Sequence, residues 1–156
     1  MRIEKVSLVC LGLVTFFSMT AVAVAEDKPS ASATEWYSVA LSDNEEAFVK
    51  TSSIKLVGTM LQARVKENYL SPRESTKKGK TYQSVRTDYR IDCTPRKVAM
   101  VESRFYSGTD LQGEEIQKAS RNDRNLIWMD APRATVFGEI LDYTCKHAPT
   151  AAPGGK

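Results

Sequence analysis

The sequence predicts an α+β domain, an antiparallel β-sheet of about six strands with a C-terminal helix packed on one face. Three observations predict it. Residues Thr81–Cys93 alternate with a period of two, Val85, Thr87, Tyr89, Ile91 and Cys93 against Ser84, Arg86, Asp88, Arg90 and Asp92, the pattern of a half-buried strand. Other short apolar runs between Trp36 and Ala119 are separated by turn signals rich in Ser, Asp, Asn, Pro and Gly. Only near the end, at Val136, Phe137, Ile140, Leu141 and Thr144, do apolar positions recur at helical spacing. Successive hairpins followed by one helix build a sheet with a helix on one side.

Taken in order, Trp36–Leu41 is the first strand, closed by the Ser42-Asp43-Asn44 turn. Ala47–Lys50 is a short second strand, and the polar Thr51–Ile54 reads as a helical turn or loop. Gly58–Leu70 is a long third strand, with Leu61, Ala63, Val65 and Tyr69 opposite Gln62, Arg64, Lys66 and Asn68. The loop Ser71–Lys80 joins it to the Thr81–Cys93 strand as a long hairpin. Thr94-Pro95-Arg96 turns the chain into Lys97–Tyr106, where Ala99, Val101 and Phe105 are expected on one side. Asp110–Gly113 is a turn, Glu114–Ala119 a sixth strand, and Ser120–Asn125 a polar loop before Leu126-Ile127-Trp128. In the helix, Asp130 is the expected cap and Pro132 sits in the first turn. Gly138 inside that helix costs roughly 1 kcal/mol against Ala, which a close approach to the sheet would explain.

The N-terminus sets the compartment. Arg2 and Lys5 precede an apolar run, Val6–Val24, that ends at Ala23-Val24-Ala25 and then Glu26-Asp27. A basic start, an apolar centre and small residues at the A-x-A positions make residues 1–25 a secretory signal peptide cleaved between Ala25 and Glu26. A transmembrane anchor is the rival; the run is near the ~17-residue lower limit for spanning and no basic stop follows it. Cys10 is no lipidation site, because bulky Val9 precedes it and most of the apolar run follows it. Removal of Arg2, Glu4 and Lys5 lowers the formal charge of +3 by one. Such a weakly basic surface gives no reason to expect nucleic acid. Residues 26–34 form a flexible polar lead, residues 35–146 one folded domain, and residues 147–156 a disordered tail. No integral membrane segment remains after cleavage.

Cleavage leaves two cysteines, Cys93 and Cys145, and one histidine, His147. A zinc site wants about four such ligands, and nothing evident orients His147 toward either thiol for nucleophilic work. An even pair in an oxidising compartment favours a structural disulfide. Both sulfurs have the parity of the expected sheet–helix interface, with Cys93 pointing into the core. The bridge would close about 50 residues, worth up to ~4 kcal/mol.

No Ser-His-Asp set, Gly-rich phosphate loop or metal-ligand spacing is present, so no catalytic residue, metal or cofactor is expected. Glu114-Glu115 is an acidic pair beside a turn, and Asp88 and Asp92 alternate with Arg86 and Arg90 as cross-strand partners do. Trp36 and Trp128 are expected in core or edge packing. The one local charge cluster is Arg73, Lys77, Lys78 and Lys80 against Glu74. As a hairpin tip it is either a solvated loop or a contact for an anionic partner such as a glycan.

"EWYSVALSD", "AFVKTSSI", "DYRIDC", "FYSGTDLQGE" and a helix ending "ILDYTC" together resemble the surface-adhesin protein E family, over Trp36–Cys145. The resemblance implies an exported bacterial domain of sheet and helix, often with this Cys pair. It also implies a non-catalytic module that binds host matrix or other extracellular proteins, at the cell surface or secreted. The alternative is a periplasmic envelope or stress-related structural protein with no host ligand. A free sheet edge would also suit a partner strand or a second copy of the chain.

Overall fold

The structure is a computed structural model that describes residues 35–149. The expected signal peptide, its expected Ala25/Glu26 cleavage site, the lead and the end of the tail lie outside the described residues. Seven strands and one helix follow in chain order: β1 Trp36–Leu41, β2 Glu45–Val57, β3 Met60–Glu74, β4 Thr81–Asp92, β5 Lys97–Tyr106, β6 Glu115–Ser120, β7 Trp128–Asp130 and α1 Val136–Lys146. The sheet runs β1-β2-β3-β4-β5-β6, every pair antiparallel, and β7 pairs with β5 beyond β6. The helix packs on one face, as the alternation in β4 requires.

That face is the core. Ala47 and Val49, Leu61, Ala63 and Val65, Tyr89 and Ile91, and Val98 line up across β2 to β5 beneath Ile140 and Leu141 of α1. Each Val, Leu or Ile among them contributes about 1.5–3 kcal/mol when taken fully out of water. Beyond the helix the same face is covered by the chain's own hairpin. A register shift in β3 between Asn68 and Arg73 bends the β3–β4 hairpin, as an inserted residue does. Ser75 and Thr76 at its end donate to Gln117 of β6 at 2.9 and 2.7 Å, and the Tyr82 ring meets Phe105 edge-on at 4.9 Å.

Several expectations are corrected. Residues 51–54 are not a helical turn; β2 continues through them with a register shift between Lys50 and Lys55. The Ser53 hydroxyl donates to the Lys50 carbonyl at 2.6 Å and accepts from the Arg64 N–H at 2.8 Å. A side chain thus fills the ladder where the backbone bulges, which a Thr-Ser-Ser run hides from a pattern of alternation. The β3 strand runs past Leu70 to Glu74, which shortens the expected loop. In β5 the expected face is wrong: a shift between Asp88 and Tyr89 leaves Val101 unpaired. Val98, Met100, Ser103 and Phe105 therefore share the core side, whereas Ala99 has the opposite parity.

The helix begins later than expected. Thr135, not Asp130, is its cap, accepting from the Gly138 N–H at 3.1 Å. Pro132–Ala134 form a turn in which Ala134 has φ 59°. Gly138 is explained by that turn, not by the sheet: a Cβ there would lie 2.1 Å from the Pro132 carbonyl oxygen. Thr144 is fully buried and donates to the Ile140 carbonyl at 2.7 Å, so no polar atom is stranded. His147 does not begin a loose tail. It caps the helix, its N–H bonded to the Tyr143 carbonyl at 3.1 Å and its ring stacked on Tyr143 at 4.1 Å.

Candidate functional site

With α1 and the hairpin on one side, the other face of the sheet carries no α-helix among the described residues. Its side chains follow from the registers. One row crosses six strands: Ser38, Phe48, Lys66, Arg86, Arg104 and Lys118 stand opposite one another from β1 to β6. The next row is Trp36, Lys50, Arg64, Asp88, Glu102 and Ser120. Strands lie about 4.8 Å apart, so Lys66, Arg86, Arg104 and Lys118 form a line of four neighbouring cations. Like charges directly opposite each other destabilise a sheet.

Acids from the adjoining row and from one loop offset this repulsion. Glu102 meets three of the four cations, Arg86 at 3.0 Å, Arg104 at 2.9 Å and Lys118 at 2.9 Å. Hydrogen bonds from Lys118 and then Arg104 bring the Glu102 carboxyl down to about 2. Arg104 also reaches Glu115 at 3.2 Å. Lys66 pairs with Asp110 at 2.6 Å, from the turn after β5, where Asp110 and Leu111 have φ 53° and 61°. Asn68 clasps the same residue, accepting from its N–H at 2.9 Å and donating to its carboxylate at 3.0 Å. Hydrogen bonds from Lys66 first and Asn68 second lower the Asp110 carboxyl. Lys66 also lies 4.2 Å from the Phe48 ring centroid, a cation–π contact.

At the lower edge of the first cluster, Arg64 and Asp88 form a two-pronged pair at 2.7 and 3.0 Å, and the Asp88 bond raises Arg64 further above its ordinary value. Lys50 pairs with Glu35. These residues, with Ser52, Ser53, Lys55 and Gln62, line a shallow polar cleft. The face can therefore hold a partner by charge and by hydrogen bonds. Among the described residues no group of three or more His, Cys, Asp or Glu could hold a metal ion, and no helix is long and apolar enough to cross a membrane.

The expected basic cluster does not stay together. Arg73 lies in β3, stacked 3.8 Å over the Tyr69 ring and 3.4 Å from Glu45. Lys80 pairs with Glu114 at 3.0 Å. Lys77 and Lys78 remain exposed at the tip with no ion pair among the described residues. Cys93 and Cys145 are joined by a disulfide with Cα atoms 6.0 Å apart. Cys93 is exposed at the end of β4 rather than in the core, so the bridge ties the helix end to the sheet from outside.

Glu67 is a residue the sequence pattern misses. It has the core parity, paired with Ala47 and Val85, and is buried at 8 % exposure. The Tyr69 and Tyr89 hydroxyls donate to its two oxygens at 2.8 and 3.2 Å. Burial raises its carboxyl above the usual range, and desolvation with the nearby Glu67 charge pushes both phenols up. An acid in the middle of an apolar strand face is the only signal that marked it.

Comparison with known proteins adds the family. No curated protein matches the chain. Two crystal forms of Haemophilus influenzae protein E are similar in fold, with TM-scores of 0.52 and 0.54 at 14 % identity, covering 72 % of this chain and 85 % and 88 % of theirs. Protein E from non-typeable Haemophilus influenzae gives a TM-score of 0.50, also at 14 % identity, over 72 % of this chain and 76 % of its own. At that identity the likeness speaks for the fold. The family model for surface-adhesin protein E matches residues 36–146. The chain therefore belongs to the surface-adhesin protein E family.

Proposed function

We propose that this chain is an exported, non-catalytic binding module that docks an extracellular protein through the open face of its sheet. One observation carries the reading: the row Lys66–Arg86–Arg104–Lys118. Asp110, Glu102 and Glu115 pair with the row, and three acids against four cations leave one positive charge in excess on a face that is not needed for the core. Such an excess suits an anionic partner surface. The residues 1–25 signal reading and the family support export, to the cell surface or the medium. An anionic glycan presents the same charge and is the second partner class that suits the row.

The alternative is a structural protein of the periplasm with no host ligand. The two separate cleanly. The full exported chain is incubated with immobilised extracellular-matrix proteins and, in parallel, with periplasmic extract of its own cell. Salt-sensitive retention on matrix supports the binding module; capture confined to envelope components, with the chain held in the periplasm, supports the alternative. The exposed tip at Lys77 and Lys78 is a second contact for an anionic partner on the same reading, because those two cations have no ion pair among the described residues. The β1 edge, "WYSVAL", carries no charge and is guarded only by its shortness and by the register shift between Ser38 and Ala40; a partner strand or a second copy would add there.

A further inference from the structure

At the end of the open face nearest the β2–β3 turn lies a cleft of about 380 Å³. Val57 and Met60 form one wall, and Leu126 and Trp128 the other. Between them stands Arg90, whose side chain is only 7 % exposed. Its Nη1 donates to Gln62 Oε1 at 3.0 Å and its Nη2 to Asp123 Oδ1 at 2.6 Å. Asp123 sits in a one-turn 3-10 segment, Asp123–Asn125, that has no side-chain cap and no buried residue, and its own side chain is 67 % exposed. Arg121 and Arg124 flank it, both exposed and without an ion pair among the described residues.

Each part has a physical meaning. A guanidinium this buried requires an anion, and its planar fork suits a carboxylate. The anion it has comes from an exposed loop, tied to β5 by the Arg121 N–H on the Val101 carbonyl at 2.8 Å and by the Asp123 contact itself. Asp123 lies between Arg121 and Arg124 in the chain, so the segment that supplies this carboxylate is itself net positive. Trp, Met and Arg are the residues that dominate protein interfaces when they line a pocket together. Arg90 and Trp128 flank the fully buried Ala99 in register, and the space between Trp128 and Met60 stays open.

We propose that this cleft anchors an extended acidic segment of a protein partner. It takes an apolar side chain between Met60 and Trp128 and the adjacent carboxylate on Arg90, where Asp123 is the intramolecular stand-in that the partner displaces. The proposal rests on the reading of the open face as the binding face, and names the chemistry of one anchor within it.

The test uses the full exported chain and a small probe. N-acetyl-leucine carries an apolar side chain beside a carboxylate; N-acetyl-leucinamide lacks the charge. A ligand this small is expected to bind with Kd on the order of 1 mM. Saturable NMR shifts of the Trp128 indole N–H and the Arg90 Nε–H are expected with the acid and not with the amide. Asp123→Asn removes the competing charge and should tighten the acid by about threefold or more. A residue that only braced Arg90 would do the opposite, so the sign of this change is diagnostic without disturbing Arg90 itself. No saturable shift, an equal response to the amide, or weaker or unchanged binding in Asp123→Asn overturns the proposal. Retention on matrix proteins without occupancy of the cleft would reject the anchor and leave the binding module standing. A cleft that binds the acid in a chain that never leaves the periplasm would do the reverse.

Discussion

Tyr69 donates its hydroxyl to Glu67 at 2.8 Å from two residues further along the same strand and on the same face. Tyr89 closes the arrangement from β4 at 3.2 Å. The acid is thus hydrogen-bonded yet shut away from water, where the hairpin's cover meets that of the helix.

Burial is the larger effect on Glu67, ahead of the Tyr69 bond that opposes it, and a like charge at Glu45 acts in the same direction as burial. Its folded pKa therefore lies above the unfolded value of about 4.3. The sign follows from linkage: stability falls as pH rises from the unfolded pKa through the folded one. Glu67→Gln should raise the urea midpoint at pH 7.5, and the gain should shrink as pH is lowered toward 5. A variant less stable than the parent at pH 7.5 would show that the carboxylate's two hydrogen bonds outweigh its burial.

Glu102 has the opposite sign. Its folded value of about 2 lies below the unfolded ~4.3, so its contribution is present above the unfolded pKa and is lost as pH falls toward 2. Its side chain is about a quarter exposed, so screening limits the loss in Glu102→Gln to on the order of 1 kcal/mol at neutral pH. Thermal melts at pH 3 and pH 7 should show the difference between variant and parent narrowing at the acid end.

Gly138→Ala tests the turn before α1. Helix propensity alone would reward Ala by about 1 kcal/mol. The Pro132 carbonyl, 2.1 Å from the new Cβ, is backbone and cannot swing aside. Net destabilisation of about 1–3 kcal/mol is expected from overpacking, read by urea denaturation. A stabilised variant would mean that residues 132–135 give way freely.

Breaking the Cys93–Cys145 bridge with Cys145→Ser should cost about 2–5 kcal/mol. The parent should resist thiol labelling until reduced. Two thiols that label freely in the unreduced chain would contradict the pairing.

Much of this molecule was legible in its sequence because alternation and turn chemistry are local. The β4 strand shows its two faces in twelve consecutive residues, and α1 shows its apolar stripe. What was not legible depends on register. Lys66, Arg86, Arg104 and Lys118 lie on separate strands, and only the pairing brings them into one row. The basic tip shows the reverse case: Arg73 and Lys80 are near Lys77 in the chain, but Glu45 and Glu114, remote in sequence, take them away. Arg90, Asp123 and Trp128 come together from β4, a 3-10 turn and β7, with no spacing that announces them. Val101 escapes the alternation because a bulge changes the parity of the residues beyond it, and Ser53 because its hydroxyl, not its backbone, completes the ladder.

The measurement that bears most directly on the open face compares two double variants in one assay of binding to immobilised matrix proteins. Arg104→Glu with Lys118→Glu reverses two members of the cation row; Lys77→Glu with Lys78→Glu reverses the hairpin tip. The tip variant should keep its stability, whereas the row variant sets two carboxylates beside Glu102 and should melt lower; binding is compared at a temperature where melting shows both to be folded. The account predicts that the row variant loses binding by about tenfold or more, that the tip variant loses much less, and that residual binding of the parent weakens as salt shortens the ~10 Å Debye length. Full binding by the row variant, with loss confined to the tip variant, would contradict it.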